Sequence, residues 1–151
     1  EYIAENFKEK EFILWDGCCK YHNNIKINEI YELKEKYPNS KILVHPECQK
    51  QIRDIADYIG STAGIINYAT NNDYKDYIIA TEEGILYELK KKNPDKNFYI
   101  PGGSISCVDM KKTTLNNLYD TLLNMKNEVI LDESVSKNAL KCLENMHSLA
   151  K

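Results

Sequence analysis

Short apolar runs alternate with segments of helical period along this chain. Lys41 to Val44 is a run of strand type, and the strand is expected over 41–45. Phe12 to Trp15, Tyr77 to Ala80 and Asn97 to Ile100 read as further strands, the first of them buried. Between them Ile27, Ile30 and Tyr31 mark one face of a helix that ends near Pro38. Ile52, Ile55, Ala56 and Ile59 predict a helix over 47–59, with Pro46 in its first turn and Gly60 as its C-cap. Ile65, Ile66 and Ala69 predict another, capped by Ser61 or Thr62. Ile85, Leu86 and Leu89 predict a third, with Thr81 as N-cap.

The character changes after Cys107. Leu115, Leu118, Tyr119, Leu122 and Leu123 line an amphipathic helix capped by Thr113 or Thr114. Val135, Ala139, Leu140, Leu143 and Met146 line a second, with Ser134 as its expected cap. Alternating strands and helices predict an α/β fold of parallel units, followed by C-terminal helices.

A chain of 151 residues with 42% hydrophobic content can fill one core of ordinary size. A net charge of -3 gives no reason to expect nucleic acid or an anionic membrane as partner. No apolar run approaches the ~20 residues of a membrane span, and no signal peptide is visible. The five cysteines are an odd count without a secretory leader, which argues for reduced thiols, metal ligands or core residues. The chain opens on Glu1 rather than Met, so it is expected to be a fragment.

Candidate chemistry gathers at the carboxyl ends of the predicted strands, where open α/β sheets bind ligands. His45 and Glu47 follow the strand 41–45, and a histidine beside a carboxylate can move protons near neutral pH. His22 and Cys19 follow the strand predicted at 12–15, and Cys107 follows the one at 97–100. Thiolates on loops at one sheet edge can ligate a soft metal or an iron–sulfur cluster. The same cysteines could equally be small buried hydrophobes. Cys18 is expected to point away from Cys19 along an extended backbone. Ser61 and Thr62 offer hydroxyls and free N–H groups to a phosphate or carboxylate, or simply a cap. Glu82 and Glu83 complement a helix dipole, and His147 reads as solvated. No P-loop, Rossmann fingerprint, HExxH or nucleophile elbow is present.

In combination, five stretches resemble the quinolinate synthase family. They are Trp15-Asp16-Gly17-Cys18-Cys19-Lys20-Tyr21-His22, Lys41 to Cys48, Gly60 to Ile65, Thr81 to Ile85 and the Cys107 segment. The resemblance implies three similar αβα domains with short parallel sheets around a central site. On that plan 1–24 is the tail of the middle domain and 25–105 a complete third domain. Residues 106–151 are then a cysteine loop and helices packing toward a first domain that this C-terminal half lacks. Three cysteines, one per domain, hold a [4Fe–4S] cluster whose fourth iron acts as a Lewis acid. The implied transferase reaction condenses iminoaspartate with dihydroxyacetone phosphate to quinolinate, in cytoplasmic NAD biosynthesis. L-aspartate oxidase or aspartate dehydrogenase would supply the iminoaspartate by channeling. Carried over by resemblance, Cys19 and Cys107 are cluster ligands, with the third from the missing region. Glu47, His45 and His22 are catalytic, and Ser61 and Thr62 join His45 and Glu47 in binding substrate. The half chain alone is expected to hold a cluster poorly and to be inactive. Two rival readings stay open: a zinc-dependent hydrolase using Cys19, His22, His45 and Cys107, and a non-enzymatic anion-binding module using Ser61 and Thr62.

Overall fold

The computed structural model describes residues 1–150. They form two compact units, one of residues 1–111 and one that starts at Lys112. The first unit holds a four-stranded parallel sheet in the order β2-β1-β3-β4. Its strands are β1 (Lys41–Val44), β2 (Tyr58–Ile59), β3 (Asp76–Ala80) and β4 (Asn97–Tyr99). Helices α1 (Tyr2–Asn6), α2 (Lys20–Asn23) and α3 (Ile27–Lys36) precede β1. α4 (Lys50–Arg53), α5 (Thr62–Asn71) and α6 (Ile85–Lys92) alternate with the later strands.

Strand β3 runs through the middle of the core. Tyr77, Ile78, Ile79 and Ala80 are all fully buried. Neighbouring side chains on a strand face opposite sides, so both faces of the sheet are covered, as a parallel sheet requires. Leu43 and Val44 of β1, Ile52 of α4, Ile65 of α5 and Leu89 of α6 complete this core. Each such side chain contributes about 1.5–3 kcal/mol by leaving water. The Tyr77 hydroxyl donates to the carbonyls of Ala69 and Asn72, which satisfies its one buried polar atom.

The connections run opposite ways from the two central strands. The chain leaves β1 toward β2, on one edge, and leaves β3 toward β4, on the other. The carboxyl ends of β1 and β3 are thus a switch point, the place where sheets of this kind bind ligands.

Four local expectations are corrected. Residues 12–15 form no strand; Ile13 is 99% and Trp15 91% exposed. An apolar run becomes a strand only beside an edge that pairs its N–H and C=O groups, and neither edge of this sheet takes it.

The helix expected over 47–59 is interrupted. Glu47 lies in a turn ahead of α4, and the chain then turns back so that Tyr58 and Ile59 pair with β1. Asp57 drives the return. Its carboxylate accepts from the Ile42 N–H at 2.8 Å and from Lys41 Nζ at 2.7 Å. Gly60 therefore leaves a strand instead of closing a helix, and its N–H donates to the Val44 carbonyl.

Thr81 does not cap α6, whose N-cap position is Gly84; its hydroxyl is engaged elsewhere. Ser134 is not a cap either. In the second unit, α7 (Leu115–Asn124) starts from a capping box at Thr114, as expected, whereas α8 (Glu133–Leu149) is capped by Asp132. The Asp132 carboxylate accepts from the N–H groups of Ser134 and Val135, two residues earlier than the pattern implied. Leu115, Leu122, Leu123, Leu140 and Leu143 on these helices are exposed. No helix among the described residues is long and apolar enough to cross a membrane.

Candidate functional site

Two short polar turns at the ends of β1 and β3 build the site. The His45 N–H donates to the Ala80 carbonyl at 3.1 Å, carrying the β1–β3 ladder one residue past the strand. The chain then turns at Pro46, and the Cys48 N–H closes the turn on the His45 carbonyl. Arg53, buried to 5% exposure, donates to the Cys48 carbonyl at 2.6 Å and pairs with Glu5 at 2.9 Å and Glu1 at 3.3 Å. It ties α1 to the back of the His45–Cys48 turn.

His22 projects into this turn from α2. Its ring stacks on that of His45, with centroids 4.4 Å apart. His22 Nε2 lies 2.9 Å from the Thr81 hydroxyl, and Nδ1 lies 3.1 Å from Glu47 Oε2. The second contact is close but not aligned as a hydrogen bond, so Nδ1 is a buried nitrogen without a directed partner. His45 Nδ1 is 3.6 Å from the same carboxylate oxygen and accepts from the Glu47 N–H at 3.3 Å. Accepting there places the His45 proton on Nε2 in the neutral ring.

Burial pushes both imidazole pKa values below the ordinary histidine value. For His22, repulsion from His45 adds to burial, and Glu47 opposes both. Two neutral imidazoles beside a carboxylate are suited to taking and returning protons near pH 7.

Cys19 occupies the N-cap position of α2 and is half-buried. Its sulfur, a ring nitrogen of His22 and a carboxylate oxygen of Glu47 lie within 4.8 Å of one another, close enough to share a metal ion. Cys107 is also a half-buried free thiol. Its N–H donates to Glu82 Oε1 at 3.3 Å, the Val108 N–H donates to the Tyr21 hydroxyl at 3.0 Å, and Lys20 pairs with Asp109 at 3.4 Å. These bonds lay the Cys107 segment alongside α2, directly after Cys19.

Glu82 anchors that segment. Burial raises its pKa, but bonds from the Gly84 N–H, Lys111 and the Cys107 N–H outweigh burial and hold it below the ordinary carboxylate range. Thr81 and Glu82, consecutive at the exit of β3, thus reach His22 of α2 and the Cys107 turn respectively. The sequence pattern assigned them to a helix cap and a helix dipole. The available signal was their position immediately past an apolar strand, where side chains are free to serve a site.

A cleft of about 680 Å³ borders Cys19, Glu47 and Ser61. Cys18 borders it too and is exposed, whereas Cys19 is half-buried. The Ser61 hydroxyl caps α5 by accepting from the Gly64 N–H at 3.2 Å, and Thr62 is exposed at the first helical position. Cys48, by contrast, is sealed in the core. Its thiol donates to the Ala80 carbonyl and burial pushes its pKa up to about 12, so it is a packing residue.

A family model described as "Quinolinate synthetase A protein" matches residues 1–148. The chain belongs to this family. Among its curated relatives, the quinolinate synthase of Clostridioides difficile (strain 630) is 68% identical over 149 residues, 99% of this chain and 49% of the relative. Those of Clostridium novyi (strain NT) and Sulfurihydrogenibium sp. are 51% and 47% identical, over 98% and 99% of this chain and 49% and 50% of the relatives. The chain spans about half the length of the quinolinate synthases it matches. Membership in the quinolinate synthetase A family does not favour the hydrolase or the anion-binding reading.

Proposed function

We propose that this chain is the part of a quinolinate synthase that carries the proton-handling turn and two cluster-binding cysteines. The reaction condenses iminoaspartate with dihydroxyacetone phosphate to quinolinate, releasing one phosphate and two waters. The observation that carries the reading is the convergence of Cys19, His22 and Glu47 within 4.8 Å, at the carboxyl-end edge of the sheet, in a chain of this family.

The donor set fits a thiolate-bound cluster. Cys19 and Cys107 are free, half-buried thiols on segments bonded to each other, and the buried His22 Nδ1 beside Cys19 lacks a directed partner. These two cysteines would hold a [4Fe–4S] cluster together with a third from the rest of the protein. When bound, the cluster supplies an iron with an open coordination position, a Lewis acid for a substrate oxygen.

The chain's own residues do the remaining work. Glu47 reaches both imidazoles, so a proton taken by its carboxylate can pass to His22 Nδ1. The ring stack keeps His45 and His22 in register. Ser61 and Thr62 offer hydroxyls at the amino end of α5 to a substrate carboxylate or phosphate. Iminoaspartate would reach the site from L-aspartate oxidase or aspartate dehydrogenase.

The test is anaerobic reconstitution of the whole protein with iron and sulfide. About four irons per chain, lost in Cys19→Ser and in Cys107→Ser, is the expected result. Full iron loading of both variants would overturn the cluster assignment.

A further inference from the structure

We infer that Thr81 is a positioning residue for His22, acting through the far nitrogen of the ring. It rests on the proposed role of His22 in moving protons. Thr81 lies 59 positions from His22, is 1% exposed, and puts its hydroxyl 2.9 Å from His22 Nε2. The other face of the ring meets His45, and the other nitrogen meets Glu47.

A carboxylate beside Nδ1 favours the proton there. Nε2 is then a bare acceptor, and the Thr81 hydroxyl donates to it. In the other neutral tautomer, with the proton on Nε2 and Nδ1 bare to take one from Glu47, the same hydroxyl turns and accepts. A hydroxyl is a side-chain partner that satisfies a buried imidazole nitrogen in either role. A carbonyl could only accept and an ammonium could only donate. Thr81 thereby leaves Nδ1 free to exchange a proton with Glu47 without stranding Nε2 in the core, where an unmade bond is costly.

The Thr81 hydroxyl is not spent on capping a helix. The cap position of α6 is Gly84, and the helix starts without a side-chain bond. Its neighbour Glu82 holds the Cys107 backbone, so the exit of β3 braces both cysteine segments.

The experiment uses the whole protein in its metal-free form with ¹⁵N-labelled histidine, and three variants of one position. In wild type the His22 signals should show a protonated Nδ1 and a hydrogen-bonded acceptor Nε2. Thr81→Val, which keeps the shape and loses the hydroxyl, should move Nε2 to the position of an unbonded acceptor. Thr81→Ser should restore it. In the reconstituted enzyme, Thr81→Val should lower kcat by roughly tenfold or more at little-changed KM, the scale of losing a group that orients a working imidazole. Thr81→Ser should recover most of that loss.

An Nε2 signal identical in wild type and Thr81→Val would overturn the inference. So would a Thr81→Val enzyme with unchanged kcat. If Thr81→Val fails to fold, Thr81→Ala gives the same comparison. A wild-type His22 protonated on Nε2 overturns the assignment with no variant at all. Wild-type protein that forms no quinolinate would count against the proposed reaction alone, because the nitrogen signals need no substrate.

Discussion

The imidazole rings of His22 and His45 stack 4.4 Å apart and within 15° of parallel. Two cations could not share that spacing in a half-buried site without strong repulsion. The stack therefore depends on neutral rings, and burial lowers both pKa values accordingly. In the window between the lowered values and the ordinary value near 6.5, the unfolded chain binds more protons than the folded one. Stability from these rings is present above that window and is lost as pH falls through it. Thermal unfolding of the metal-free protein should show a falling Tm from pH 7.5 to pH 5, with a shallower fall in His22→Gln. Equal slopes would mean that the pair does not titrate with folding.

Glu47 is the group common to both imidazoles, yet it is not one of the proposed sulfur ligands. Glu47→Gln keeps the side chain's size and removes its base. Iron content after reconstitution should match wild type, while quinolinate formation should fall by about 10²-fold or more. Unchanged turnover would remove Glu47 from proton handling.

Glu82 accepts from two backbone N–H groups and from Lys111 while buried to 8% exposure. Glu82→Ala strands the donors of Gly84 and Cys107. Urea unfolding should show a loss of about 1–3 kcal/mol, and iron loading should weaken along with it. A variant as stable as wild type would show that water replaces the carboxylate without cost.

The cysteines should react in order of burial. Cys18 and Cys142 are exposed, whereas Cys48 is 1% exposed with a pKa pushed up to about 12. The thiolate is the reactive form, so iodoacetamide at pH 8 should leave Cys48 unmodified in the folded protein while labelling Cys18 and Cys142. Peptide mass mapping reads this directly, and early labelling of Cys48 would mean that the β1–α4 turn opens.

Much of the fold was legible because its signals are local. The apolar runs at Lys41–Val44 and Tyr77–Ala80 became the two central strands, and Ser61 capped α5 as its spacing implied. The failures share a cause. Phe12 to Trp15 has strand composition, but composition cannot supply a neighbouring edge. Ile52, Ile55 and Ile59 fit a helical period, yet the carboxylate of Asp57 draws the chain onto β1 instead. At the candidate site the residue types and their sheet edge were readable. The His22–His45 stack and the Thr81 contact were not, because each joins residues distant in sequence. Thr81 in particular suits a cap and a histidine partner equally well, and only the folded chain chooses between them.

The switch point at the ends of β1 and β3 comes from the directions in which the backbone departs, not from any side chain. Replacing His45, Glu47 and Thr81 together would strip its chemistry and leave the order of the strands as it is. The scaffold and the reactive groups are therefore separable. New reactive groups could be written at that edge without re-routing a single connection of the sheet.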